Sequence, residues 1–327
     1  MKKLIKLILA IIMVITISAC SKSDDSNEVQ KIKLDKENKI ADTISFKIET
    51  IDQTDGIMPD VLESIFNYYK PSSSKKVLLD MSAMVTNLTD NDLELNKIFE
   101  AMFTIDNTDY EASLLSISND GKTISTADKI TANNSMKIHY YIEVDPDLLD
   151  QKIKFTISTI VDEDSDDKQV SAALDFKIDD AKKNYESISS SDTLSFENSG
   201  QLVLQGVTTA KELRPTNPTG LYNYYYTKDD KNSFLILKTQ ITNQSGGDMS
   251  ASSLATIKLL DKNDKPYSAN VIYEEANGSD LALASTITLT PNQSVTVYYA
   301  FEISDDLINE NKTIRIVRDG KVYSFDC

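Results

Sequence analysis

Few side chains in this 327-residue chain carry the chemistry of catalysis, and each can be followed singly. There is one histidine, His139, so a metal site with two His ligands is excluded, as is a Ser-His-Asp triad in each of two domains. No Cys-x-x-Cys, phosphate loop or Gly-x-Ser-x-Gly elbow is present. In the acidic run Asp162-Glu163-Asp164-Ser165-Asp166-Asp167, the residues Asp162, Asp164 and Asp166 share the 1-3-5 spacing that opens a calcium loop. The sixth position is Asp167 rather than Gly and the twelfth is Ala173 rather than Glu, so the run reads as a solvated hairpin. A glycosidase needs only two acids about 5–10 Å apart. With 51 acidic residues no pair stands out, and the tryptophans that usually line sugar clefts are missing altogether. The expectation is a protein that is not an enzyme and carries no cofactor or metal.

Tyrosines offer a different chemistry. Phe66-Asn67-Tyr68-Tyr69 and Tyr222-Asn223-Tyr224-Tyr225-Tyr226 precede equivalent apolar strands. Tyr suits binding surfaces because it combines a large rigid ring with a hydroxyl. It also caps sandwich cores near strand ends. Tyr68, Tyr69, Tyr224 and Tyr225 are therefore candidates for partner contact, with a core role as the competing reading.

The cysteines differ in setting. Lys2, Lys3 and Lys6 precede an apolar run from Leu7 to Ile17, and Ile17-Ser18-Ala19-Cys20 follows. The run is too short for a bilayer that needs about 20 residues, yet it suits a signal peptide. The four residues resemble a bacterial lipobox, in which a diacylglyceryl group is added to the cysteine and cleavage leaves that residue at the N-terminus. This predicts a protein held by lipid on Cys20 at the outer face of the cell membrane, since two acyl chains anchor firmly. Cys327, the last residue, then has no partner within the chain, and the fold rests on apolar cores instead of disulfides.

The formal charge of the chain is −17. Such acidity opposes nucleic-acid binding and docking on anionic lipid, and favours solubility.

The elements that position these residues are written twice. Asn67-Tyr68-Tyr69 recurs as Asn223-Tyr224-Tyr225, Val85-Thr86-Asn87 as Ile241-Thr242-Asn243, and Asp42-Thr43-Ile44-Ser45-Phe46 as Asp192-Thr193-Leu194-Ser195-Phe196. Met136, Ile138, Tyr140, Ile142 and Val144 alternate with polar neighbours, as do Val295, Val297, Tyr299, Phe301 and Ile303. A period of two marks half-buried strands, with His139 on the exposed polar face. Asp106-Asn107, Asn119-Asp120-Gly121 and Asn277-Gly278 supply turns. A helical turn is expected over residues 59–66 from the spacing of Val61, Leu62 and Ile65. The fold predicted is all-β, with two tandem immunoglobulin-like β-sandwiches over 41–180 and 192–327. A signal peptide (1–19), a flexible tether (20–40) and a linker (181–191) complete the chain.

Strands ending in Val85-Thr86-Asn87 and Ile241-Thr242-Asn243, after a Tyr-rich approach, resemble the immunoglobulin-like domains of Gram-positive secreted antigens and lipoproteins of the immunoprotective extracellular protein type. The resemblance covers both halves in outline and implies surface binding or scaffolding; the long Asp/Lys/Ser loops depart from it. The reading is a lipid-anchored protein for non-catalytic binding of a surface protein or cell-wall component, without nucleic acid. The alternatives are a small-molecule or calcium-binding envelope lipoprotein and an envelope hydrolase using acidic residues.

Overall fold

The computed structural model describes residues 29–34, 36–62, 66–126, 129–160, 169–181, 185–318 and 320–327. Alternation along the strands builds two β-sandwiches of the immunoglobulin-like class, and they match strand for strand. In the first, a six-stranded sheet runs in the order Asn38–Ile40, Ile44–Thr54, Val77–Asn87, Ser135–Val144, Ser113–Ile117, Ile124–Ser125. In the second, the same order is Thr193–Phe196, Gly200–Ala210, Asn232–Asn243, Ser294–Ser304, Asn270–Glu274, Leu281–Leu283. Facing these are five-stranded sheets. One orders Gln30–Lys31, Ser171–Phe176, Ile153–Thr159, Phe99–Ile105, Thr108–Glu111, and the other Glu186–Ser187, Lys321–Asp326, Thr313–Arg318, Thr256–Leu260, Pro266–Ser268. Among the described residues, only the short first strand of each five-stranded sheet pairs in parallel.

The inward residues are those of the period-two pattern. Phe99, Ala101, Phe103 and Ile105 are buried with Ile153, Phe155 and Ile157, and Ile257 and Leu259 lie with Ile314 and Ile316 in the second core. The Phe155 ring lies tilted at 5.0 Å from Phe103 and edge-on at 5.5 Å to Tyr140. Burying each such ring contributes about 2–3 kcal/mol. The Asp106-Asn107 turn has φ of 47° and 59°, the left-handed pair that a tight hairpin requires.

The Val/Ile-Thr-Asn motif is a structural clamp. Asn87 Nδ2 donates to the carbonyls of Asn91 (2.7 Å) and Ile130 (3.1 Å), while its Oδ1 accepts from Thr89 N and Oγ1 at 2.9 and 2.8 Å. Asn243 repeats this with Gly247 (2.8 Å), Leu289 (2.9 Å) and Ser245 N and Oγ (2.9 and 2.7 Å). Both asparagines are fully buried. Thr86 and Thr242 point outward and bond Ser135 and Ser294, each at 2.7 Å.

Two expected boundaries and one expected turn differ. The tether of 20–40 is shorter, because Gln30–Lys31 joins a sheet and Ile32 and Ile40 are buried. Two isolated apolar residues among charges close the end of the core, too sparse a pattern to show periodicity. The linker of 181–191 likewise contains Glu186–Ser187, paired with Tyr323–Ser324. Residues 59–62 form bends rather than a helical turn, since Asp60 and Val61 are directed away from their own sandwich by contacts described below; 63–65 lie outside the described residues.

Candidate functional site

The centre of the polar outer face of the first six-stranded sheet is covered. It packs against the outer face of the second sandwich's five-stranded sheet. On the first sheet Asp52 lies directly opposite Asp80, and on the second Lys258 lies opposite Arg315. Like charges paired across strands destabilise each sheet taken alone. Bringing the faces together sets Arg315 against Asp52 and offsets the acidic penalty, while Lys258 keeps Arg315 as a repulsive neighbour. Arg315 Nη1 and Nη2 donate to Asp52 Oδ1 and Oδ2 at 2.6 and 2.7 Å, a two-pronged pair with both side chains 4% exposed. Arg315 Nη1 also reaches the Tyr185 hydroxyl, at 3.3 Å, in the junction between sandwiches.

A second cluster surrounds Asp60. The strand Ile44–Thr54 shifts register between Ile48 and Thr50, which leaves Glu49 unpaired in the ladder and available to Lys137 at 3.3 Å. Lys137 Nζ donates to Asp60 at 2.7 Å and to Thr256 Oγ1 at 3.0 Å. Lys258 Nζ stands 3.7 Å from Asp60 and donates to Ser268 Oγ (2.7 Å) and the Pro59 carbonyl (3.3 Å). Burial pushes the Asp60 carboxyl up, but the charges of Lys137 and Lys258 outweigh it and hold the group well below its ordinary 3.8. Burial pulls Lys137 down, and the carboxylates of Asp60 and Glu49 more than reverse this, leaving it above 10.5. For Lys258 burial prevails: Asp60 and, to a lesser degree, Asp80 oppose it, while Lys137 and Arg315 add repulsion, so it sits below 10.5.

The signs separate the two lysines. Lys137 contributes stability that is complete below pH 10.5 and lost as pH rises through its higher folded value. Lys258 costs stability when charged, and the cost is relieved as pH rises from its lowered folded value toward 10.5. Asp60 contributes above pH 3.8 and loses that contribution only as pH falls through its lower folded value. Lys137→Met is therefore expected to cost about 3–5 kcal/mol in urea unfolding at pH 7. Lys258→Met is expected to be neutral or stabilising there, and to flatten the gain in stability on approach to pH 10.5. Equal losses for the two variants would refute this division of roles.

His139 is the residue most changed by the docking. Expected on an exposed face, it is 8% exposed, because the second sandwich covers that face. Its Nδ1 bonds both Asp80 oxygens at 2.9 Å, and Nε2 has no hydrogen-bond partner. His–Asp is two parts of a triad, but no hydroxyl is bonded to Nε2. The cavity it lines, with Asp52, Asp80 and Arg315, measures about 50 Å³, enough for one or two waters.

Val61 completes the docking. It is 5% exposed and packs in the hydrophobic core of the second sandwich with Ala255, Val271 and Tyr299. The described residues of the segment 55–76 thus form an arm, with 55–61 reaching from one sandwich to the next. Further ties are Lys265 to Asp55 at 2.6 Å and Lys122 Nζ to the Ser285 carbonyl at 3.3 Å.

The tyrosines divide identically in both copies. Tyr69 bridges Ile57, and Tyr225 pairs with Leu213; both pack on apolar clusters. Tyr68 and Tyr224 face outward, 53% and 48% exposed. Around Tyr224 the second copy gathers more: ring centroids of Tyr222, Tyr224 and Tyr226 follow at 6.4 and 6.0 Å, and the Arg214 guanidinium lies 5.2 Å from the Tyr224 ring. Leu221 projects entirely into solvent.

Asp162, Asp164 and Asp166 lie outside the described residues, as does Cys20. Cys327 is exposed beyond the last strand. Among the described residues no cluster of three or more His, Cys, Asp or Glu could hold a metal, and no helix is long and apolar enough to cross a membrane. The interface charges escaped sequence reasoning, since outward strand positions carry charges as a rule. The usable signal was like charge at cross-strand neighbours, which requires the register.

No protein-family model matches the sequence, nor does any curated protein. Among solved structures, an uncharacterized beta-sandwich protein from Clostridium difficile is similar with a TM-score of 0.40 and 14% identity, over 43% of this chain and 93% of its own. A conserved hypothetical protein from Bacillus anthracis gives 0.28 and 10% identity, over 38% of this chain and 87% of its own.

Proposed function

We propose that this is a non-catalytic binding protein of the bacterial envelope, held at the outer face of the cell membrane by lipid on Cys20. Its contact surface is the arm of the second sandwich, residues 211–231. One observation carries the reading. The arm of the first sandwich is spent on docking, whereas its counterpart leaves Leu221, Tyr224 and Tyr226 exposed at 102%, 48% and 66%. Exposed rings with an arginine over one of them are the composition of a binding hot spot. Tyr68 is the lesser candidate, beside Phe66 at 6.3 Å. Tyr69 and Tyr225 serve the fold. The lipobox-like leader and the acidic charge support an anchored, soluble ectodomain of the immunoprotective extracellular protein type.

A photoreactive amino acid at position 226, irradiated on intact cells, is expected to yield a discrete cross-linked species. The same residue at Lys154, on the opposite sheet of the first sandwich, should yield none. Equal yields at both positions, or none at 226, would overturn the assignment.

A further inference from the structure

The two sandwiches are equivalent at the docking contact as well as in their strands, and this identifies what the free arm fits. Pro59-Asp60-Val61 in the first arm corresponds to Pro215-Thr216-Asn217 in the second. Val61 N donates to the Gly121 carbonyl at 3.0 Å, as Asn217 N does to Gly278 at 2.8 Å. Both glycines have positive φ, 74° and 71°. The receiving edge of the second sandwich is built from Ala255 and from Val271, which pairs with Tyr299. The corresponding residues of the first are Phe99 and Leu114, with Leu114 paired to Tyr140.

In the second sandwich that edge is filled by Val61. In the first it is an open groove of about 570 Å³, lined by Phe99, Leu114, Tyr141 and Ile160, with Glu100 and Glu111 at its rim. Ile160 is 46% exposed. Among the described residues, one arm and one groove of the same repeated contact therefore have no occupant.

We propose that the free arm of the second sandwich seats in the free groove of the first sandwich of a second copy, head to tail. The proposal rests on the reading of residues 211–231 as a contact surface and names its partner. Three features fit. Phe99 occupies the position where Ala255 leaves room for Val61, so the groove excludes a deep key and admits a shallow one. The second arm matches, with Asn217 in place of the key and Leu221 and the tyrosines farther out. Charge agrees too: in a chain of −17, the arm carries four basic and three acidic residues and meets a rim of two glutamates. Because the two surfaces differ, the contact is heterologous, producing open chains or closed rings.

Sedimentation velocity of the mature chain, with Cys20 and Cys327 replaced by serine, tests this. Over roughly a hundredfold range of concentration the average sedimentation coefficient is expected to rise. Leu221→Asp and Ile160→Asp, both at exposed positions, should each abolish the rise. Mixing the two variants should restore dimers and nothing larger, since only one intact arm then meets one intact groove. A chain that stays monomeric throughout, or an association that survives both substitutions, overturns the proposal. If it stays monomeric while position 226 still cross-links to another envelope molecule, self-association fails and the contact surface stands.

Discussion

Arg315→Met is expected to lower the unfolding free energy by about 3–5 kcal/mol and to split a single urea transition into two. Asp52, only 3% exposed, would lose both donors while still facing Asp80 across the strand pair. The cost is the stranded carboxylate rather than the intrinsic worth of the pair, because burying two ions costs nearly what their attraction returns. The double replacement Asp52→Leu with Arg315→Met should accordingly regain most of the loss. What it should not regain is register. Methionine and leucine pack in several arrangements, whereas a two-pronged guanidinium–carboxylate contact accepts one. A single-variant loss under about 1 kcal/mol at pH 7 would show that the faces do not bury this pair.

Asn243→Ala and Asn87→Ala should each cost about 2–4 kcal/mol, with normal folding elsewhere. Each side chain satisfies two carbonyls and accepts from an amide and a hydroxyl next to it in the chain. Alanine leaves those carbonyls and donors without the partner that the asparagine supplies. Aspartate should fare no better, since it cannot donate to the two carbonyls. Thr242→Val, by contrast, removes only an exposed bond to Ser294 and should change stability by less than about 1 kcal/mol. Thermal melts of the three Asn243 and Thr242 variants distinguish a clamp from a surface motif. A mild Asn243→Ala would refute the clamp.

The sandwiches were legible because their inner faces follow simple alternation: Phe99 to Ile105 and Val295 to Ile303 are buried where period two places them. The duplication was legible for the same reason, since a core position tolerates few residues in either copy. The docking was not. Asp52, Asp80, Lys258 and Arg315 are outward positions, and outward charges ordinarily belong in water. That rule places His139 in water, whereas the docked face buries it. Spacing alone places Val61 on a helical face, because its true neighbours, Ala255 and Val271, are about 200 residues away in sequence. Tyrosine pairs could be found in the sequence but not divided into inward and outward members, since adjacent residues on a strand take opposite faces and only the pairing of Tyr69 with Ile57 and Tyr225 with Leu213 fixes which.

The duplicated copies have also diverged where they meet. Thr208, Ile236 and Tyr298 stand on the second six-stranded sheet at positions corresponding to Asp52, Asp80 and His139 on the first. The charged contact consequently closes once within the chain and is not offered again at its end. What is offered is the tyrosine-rich arm. Docking of the two sandwiches is thus what distinguishes a spent arm from a free one.

That docking can be measured directly by pulsed electron–electron distance spectroscopy between nitroxides at Lys154→Cys and Ser195→Cys, both exposed positions on different sandwiches, with the native cysteines replaced by serine. A single narrow distance at neutral pH, unchanged by salt and broadened by Arg315→Met, is the predicted result. A broad distribution in the otherwise native chain would mean that the sandwiches move independently, and would contradict the account.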